Sequence, residues 1–451
     1  MNNTPPLWPI FGYLGATITG NIYLAFKLIT LVSGILLIPL SYVAFRKAFG
    51  DLPALFSSVL IAFTYVLIDF SGNGSLYILH AFLILVFVFL AGKPERPLNA
   101  ILLGIVAGLA YLLNYQAIVV LGALIVVYLY QFGFGKQLWE KMPVVILALG
   151  CTLVVLMPLL IHNMMIFGSP LYNTNFDYFV SKLGVPPQLV LLDENVIVQR
   201  NWDEFSFSSA PNIVFSWILR NLAYISIRIL ILIPLISIFA FLATIHILRV
   251  KRYRQRTAAT WAILSLLILH IVISCLWPVY KFRYFVPIIP LIIGLGAYGV
   301  FRLIHHSQAR TVVITIALIA LLTVNVLTYL RVPSHTNYYD SNELFHYRTG
   351  ESEWQTETRL MNAALDVLDD YPPGAVIGAA AVFYHTHRPL VLATGIKDPD
   401  ILRFLVEKYE VRYILDIVDR ETFYQAAISG DIFYRNESFF TDSHRVNLHK
   451  N

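Results

Sequence analysis

Leu28-Ile-Thr-Leu-Val-Ser-Gly-Ile-Leu-Leu-Ile-Pro-Leu-Ser-Tyr-Val-Ala-Phe-Arg-Lys47 is the stretch that decides the fold. Residues 28–45 hold no charged side chain, and the run ends in a basic pair. A helix needs about 20 predominantly apolar residues to cross the hydrocarbon core, and Lys and Arg gather at the cytoplasmic end of such helices. The same pattern recurs outward along the chain. It predicts about ten spans, near 22–45, 52–70, 76–92, 97–113, 116–131, 142–161, 221–248, 258–277, 285–303 and 311–330. Of the 451 residues, 58% are hydrophobic and 13% charged. Soluble domains carry about 25% charged residues, so an ordinary soluble fold is excluded.

The loops alternate in charge. Arg46 and Lys47 follow the first span, and Lys93, Glu95 and Arg96 the third. Lys136, Glu140 and Lys141 follow the fifth, Arg249 to Arg256 the seventh, and Arg302 to Arg310 the ninth. These connections are therefore cytoplasmic. The others are poor in Lys and Arg or long, and face outward: 71–75, 114–116, the large loop 162–220, 278–284, and the chain from Val332 on. The net charge of +5 is accounted for by these loops, and no nucleic-acid motif accompanies it. Cys151 and Cys275 both fall in apolar runs, which suits packed thiols rather than a disulfide or metal pair. Ten spans leave both ends outside. Since no apolar segment precedes Met1, this topology expects a further span upstream.

The chain thus divides into a transmembrane domain, 1–331, and a soluble domain, 332–451. In the latter, the patterns predict helices over 356–368, 399–408 and 420–428. They predict strands over Ala375–Val382, Leu390–Leu392 and Val411–Ile417. Alternating strands and helices suggest a small extracytoplasmic α/β layer. No glycine-rich phosphate loop follows any of the strands.

Ionisable groups inside a span are costly and point to function. Asp69 closes the second span, and His80 lies a turn into the third beside Tyr77. The alternative for Asp69 is a helix cap or headgroup contact. His246 and His270 also fall within spans, where helix packing or a near-interface position explains them. His162 and Asn163 end the sixth span and open the long outer loop, which carries Tyr172 and Asp177. Acidic residues there suit a divalent cation or a base, or are simply solvated. Lys281, Arg283 and Tyr284 form another outer loop. Two cations there run against the usual charge bias. A guanidinium fork suits a lipid-linked phosphate at that depth, and snorkelling to ordinary headgroups is the alternative.

Four stretches together resemble the GT-C superfamily of polyprenyl-phosphate-sugar-dependent glycosyltransferases, which includes the protein O-mannosyltransferases and the lipid A aminoarabinose transferase. They are Thr4-Pro-Pro-Leu-Trp-Pro9, Gly108-Leu-Ala-Tyr-Leu-Leu-Asn-Tyr-Gln116, His162-Asn-Met-Met-Ile-Phe-Gly-Ser-Pro-Leu-Tyr172 and Lys281-Phe-Arg-Tyr-Phe-Val-Pro-Ile-Ile-Pro290. Pro372-Pro-Gly374 and Tyr409-Glu-Val-Arg-Tyr-Ile-Leu-Asp416 are similar to the extracytoplasmic domain of many members. The resemblance implies a sugar transferred from a polyprenyl-phosphate donor in the membrane to a protein, lipid or glycan acceptor on the outer face, with a metal in some members. It implies that Arg283, with Lys281, holds the phosphate, and that Asp69 matches a second acidic position. Asn114 stands where many members have Lys, and His162 where many have Arg. The family's first span and first outer loop, with its catalytic acid, precede the motif at which this chain begins. A catalytically inactive or split relative acting as a scaffold or subunit, and a transporter for a lipid-linked substrate, are the alternative readings.

Overall fold

The structure is a computed structural model. It describes residues 5–133, 136–170, 188–193, 196–200, 211–249, 257–276, 282–304, 306–331, 375–377, 390–391, 411–417, 434–440 and 445–450. The chain divides into two compact units, Met1–Leu344 and Phe345–Asn451.

The first unit is helical. It opens with α1 (Leu7–Thr19), a short helix outside the expected spans. Its Trp8 stacks on Phe26 at 4.5 Å. α2 (Ile22–Phe49) carries the decisive apolar run. α3 (Asp51–Ala62) and α4 (Tyr65–Gly72) follow, then α5 (Leu76–Leu90) and α6 (Pro97–Leu113). A 3-10 turn, Tyr115–Ala117, leads into α7 (Ile118–Phe132). α8 (Lys136–Glu140) is a single turn, and α9 (Met142–Phe167) a long apolar helix. α10 (Pro211–Leu232), α11 (Ile236–Arg249) and α12 (Ala258–Leu276) come next. A 3-10 segment, Phe282–Ile288, leads into α13 (Ile289–Leu303), and α14 (Ser307–Arg331) is the last described element of the unit.

Every expected span is met by helix, with two corrections. The stretch read as one span over 52–70 is two helices, α3 and α4, bent by 56° at Phe63–Thr64. The stretch 221–248 is likewise two, interrupted where Leu235 takes a left-handed φ of 62° next to Pro234. Proline cannot donate the helical hydrogen bond its position requires, and a leucine in the left-handed region does not continue a helix. Among the described residues, seven helices are long and apolar enough to cross a membrane, or eight with the bent pair as one span, fewer than the ten expected. α5, α6 and α11 are apolar but shorter.

Two features support the charge alternation. Lys47, at the end of α2, donates to the Phe89 carbonyl at 3.2 Å and sits 3.4 Å above the Phe89 ring, at the end of α5. The ends of the first and third predicted spans therefore share one end of the bundle. Asn114 meets His80 at the opposite end.

Lipid offers helices no hydrophobic drive to associate, so small residues set the contacts. α6 and α9 meet along Gly104 and Gly108, where an added Cβ would strike the Ala148 carbonyl and Val155 respectively. The close approach lets Thr152 donate to the Gly104 carbonyl at 3.1 Å. α13 is enclosed in the same manner, with Gly296 against the Ile236 carbonyl of α11. Large apolar side chains face outward on the periphery, among them Val154 at 70% and Phe241 at 66% exposure, as lipid-facing positions do. Cys151 and Cys275 are free thiols.

The loop between α9 and α10 contains a hairpin, β1 (Gln188–Asp193) paired antiparallel with β2 (Val196–Arg200). The second unit holds a five-stranded mixed sheet of β3 (Ala375–Ile377), β4 (Leu390–Val391), β5 (Val411–Ile417), β6 (Tyr434–Phe440) and β7 (Arg445–Lys450), in the order β4-β3-β5-β7-β6. β3 runs parallel to β4 and β5, and β7 antiparallel to β5 and β6. The β5 bounds match the sequence pattern, β3 and β4 begin where expected while the rest of their expected ranges lies outside the described residues, and β6 and β7 were not expected. The helices expected over 356–368, 399–408 and 420–428 lie outside the described residues.

Candidate functional site

Polar side chains gather at the end of the bundle opposite Arg46 and Lys47. His80 lies one turn into α5 with no exposed surface. Asn114 follows α6 in an extended conformation, φ −153° and ψ 125°, which turns the chain out of the helix. Its Oδ1 accepts from the Gln116 backbone at 3.0 Å, so it caps the 3-10 turn. Its Nδ2 faces His80 Nδ1 at 3.5 Å. An amide nitrogen only donates, so Nδ1 is the acceptor and the His80 proton is assigned to Nε2. That Nε2 is buried with no hydrogen-bond partner among the described residues.

His270, on α12, is 1% exposed. Its Nε2 donates to the Tyr284 carbonyl at 2.7 Å. The sequence reading assigned His270 to helix packing or a near-interface position. The structure instead makes it a support of the turn that carries Arg283 and Tyr284. Phe285, next on that turn, lies edge-on to the His270 ring at 6.0 Å.

The Arg283 guanidinium lies 5.7 Å from the centre of the Tyr284 ring, within cation–π reach. From Tyr284 a chain of rings runs across the end of the bundle: Tyr284 to Tyr77 at 6.0 Å, then Tyr77 to Phe70 at 6.1 Å. Phe70 is the neighbour of Asp69 on α4. These rings thus join the element that carries Asp69 to the turn that carries Arg283. Asp69 is half-buried, and its Oδ2 is buried with no hydrogen-bond partner among the described residues.

His162 and Asn163 belong to the last turns of α9. His162 is exposed. Asn163 is buried and donates to the Pro170 carbonyl at 3.2 Å, which holds the chain as it leaves the helix. Gly168 makes that exit possible with φ 68°, donating to the Met164 carbonyl at 3.1 Å. Tyr172, Asp177 and Lys281 lie outside the described residues. Among the described residues, no three histidine, cysteine or acidic side chains converge to hold a metal ion.

Two residues escaped the sequence reading. Arg228 of α10 is 5% exposed, with its guanidinium 4.9 Å from the Tyr224 ring. Asn221 is fully buried and donates to the carbonyls of Ser274 and Cys275, at 3.4 and 3.1 Å, tying α10 to the end of α12. The signal for Arg228 was present, since it is a charge inside the seventh expected span.

Residues 3–162 match a family model described as dolichyl-phosphate-mannose-protein mannosyltransferase. A search of curated proteins by sequence gives no match. Among solved structures, the chain is similar to ArnT from Cupriavidus metallidurans bound to undecaprenyl phosphate, with TM-score 0.57 and 16% identity over 99% of this chain and 88% of that one. It is similar to the Archaeoglobus fulgidus oligosaccharyltransferase tethered to an acceptor peptide, with TM-score 0.55 and 12% identity. It also resembles AglB from that organism in complex with an inhibitory peptide and a dolichol-phosphate, with TM-score 0.53 and 12% identity. All of this chain is covered in both archaeal matches, but it spans only 66% of those structures' length. These neighbours are GT-C glycosyltransferases, and the chain has their fold.

Proposed function

We propose that this protein is a multi-pass glycosyltransferase of the cell membrane. It moves a sugar from a polyprenyl-phosphate donor to a protein, lipid or glycan acceptor on the outer face. The observation that carries the reading is the Arg283–Tyr284 turn, braced from below by His270 and linked by three aromatic rings to the helix of Asp69. A donor phosphate and an acceptor can meet across that distance only if both are held at one end of the bundle. Solved neighbours named for bound undecaprenyl phosphate and dolichol-phosphate support the donor class. Ten crossings would place 332–451 outside, with Lys281, Tyr172, Asp177, His162 and Asn163 on the same side.

In this mechanism the acceptor oxygen attacks the anomeric carbon. The bond from that carbon to the phosphate oxygen breaks, and polyprenyl phosphate leaves with the bonding pair. The charge that develops on the phosphate is met by Arg283, whose planar fork binds two of its oxygens. Asp69 takes the acceptor's proton or orients its nucleophile.

The test is transfer in proteoliposomes, with a panel of polyprenyl-phosphate sugars, by the parent protein, Arg283→Ala and Arg283→Lys. Loss of one preorganised donor costs about 10²–10³ in kcat. Arg283→Ala is expected to fall in that range, and Arg283→Lys to keep part of the rate. Undiminished transfer by Arg283→Ala would overturn the assignment.

A further inference from the structure

The break between α3 and α4 leaves backbone groups that no helical neighbour pairs. Within hydrocarbon such groups have no water to turn to. Here one side chain from far along the chain takes two of them. The Asn325 Oδ1 of α14 accepts from the Tyr65 N–H at 3.0 Å. Its Nδ2 donates to the Phe63 carbonyl. The amide therefore bridges the residue that follows α3 and the first residue of α4. α4 is only eight residues long and ends in the Gly72-Asn73-Gly74 turn, so it has a joint at each end. The far joint is also pinned, because Thr30 of α2 donates to the Ser71 carbonyl at 3.0 Å.

We infer that Asn325 is a positioning residue: it fixes the angle of α4 at the break and so fixes where Asp69 stands at the end of the bundle. The geometry of the clamp is independent of the proposed reaction, but the role given to Asp69 rests on that reading. The Thr64 hydroxyl also holds the break locally, donating to the Leu60 carbonyl at 2.7 Å, and the Asn325 amide adds a tie from another helix that sets the angle. The same hinge with an apolar side chain in its place defines a range. The asparagine amide carries its donor and its acceptor on one carbon, a spacing that suits a carbonyl and an N–H two residues apart.

The experiment measures the angle directly. Spin labels go on Leu52 and Ile68, both more than half exposed, in a background with Cys151 and Cys275 replaced. They report the distance across the break in lipid nanodiscs. A straight helix would separate the two positions by about 24 Å along its axis, and the bend shortens this. The parent should give one narrow, shortened distance. Asn325→Leu should broaden it toward the straight value. Asn325→Asp, which can accept but not donate at neutral pH, should broaden it too, and Asn325→Gln should recover part of the narrowing. In proteoliposomes Asn325→Leu should lower kcat about tenfold or more while KM for the donor stays within twofold, since Arg283 is untouched. A distance distribution unchanged in Asn325→Leu would overturn the inference. So would a broadened distribution with normal kcat, provided Asp69→Asn still abolishes transfer. If both Asn325→Leu and Asp69→Asn transfer normally while the distance broadens, the clamp stands and the catalytic role of Asp69 falls instead.

Discussion

Replacing Gly104 and Gly150 by alanine makes the same chemical change on two helices that pack together, and the structure expects opposite results. At Gly104 the added methyl would run into the Ala148 carbonyl and come within 2.9 Å of the Cys151 Cβ. Carbon atoms in contact sit about 3.5–4.0 Å apart, so α9 must retreat by roughly 1 Å. A gap of that size forfeits a quarter to a half of each dispersion contact along the seam. It also stretches the bond from Thr152 to the Gly104 carbonyl, now 3.1 Å. Overpacking of this kind costs about 1–3 kcal/mol, and an interhelical hydrogen bond in a membrane contributes about 0.6 kcal/mol. Alanine's better helix propensity returns up to about 1 kcal/mol. The net expectation for Gly104→Ala is a loss of about 1–3 kcal/mol. A Cβ at Gly150 meets nothing within 4 Å, so only the propensity term remains and Gly150→Ala should stabilise by about 0.5–1 kcal/mol. Unfolding in mixed micelles of rising SDS fraction, followed by tryptophan fluorescence, gives both values in one assay. If the two variants unfold at the same SDS fraction, the small-residue seam does not set the α6–α9 contact.

His270→Leu removes the donor, at 2.7 Å, that holds the Tyr284 carbonyl. We expect a loss of about 1–3 kcal/mol in the same SDS assay and a weaker KM for the polyprenyl-phosphate donor, as the Arg283 turn loosens. Arg46→Ala breaks an ion pair to Asp51 at 2.6 Å, but both side chains are more than half exposed. Its stability should change by less than about 1 kcal/mol, and a larger change would mean the pair is held more rigidly than its exposure implies.

The spans were legible because lipid imposes one rule on all of them. Each must satisfy its own backbone and show apolar side chains, so a run such as residues 28–45 admits few other readings. The breaks within spans were not legible, because they depend on partners far along the chain. Nothing local at Phe63–Thr64 says that the helix ends there. What makes the ending tolerable is Asn325, 260 residues after Tyr65. Pro234 did offer a local signal for the interruption at Leu235, but proline also sits inside apolar helices without ending them, as at Pro39 and Pro158. The polar groups at one end of the bundle were found one by one from their cost in a membrane. Their grouping was not, because His270 contacts the Tyr284 backbone rather than a side chain, and sequence carries no mark of such a contact. Arg228 was missed although the same cost rule applied to it.

The candidate spans Arg283–Leu303, which includes α13, and Ser307–Val326 of α14 are 21 and 20 residues long and similarly apolar, yet 89% of the first window is enclosed by protein against 11% of the second. They therefore live in different solvents. For α13 the surroundings are fixed neighbours with no room to give, so the tolerated alphabet is set by volume. For α14 the surroundings are fluid acyl chains that accept any shape but no charge, so the tolerated alphabet is set by polarity. Drift in related chains would then leave α13 recognisable by the sizes of its side chains and α14 only by their greasiness. Asn325 would be an outlier on α14, a polar letter in an otherwise oily word.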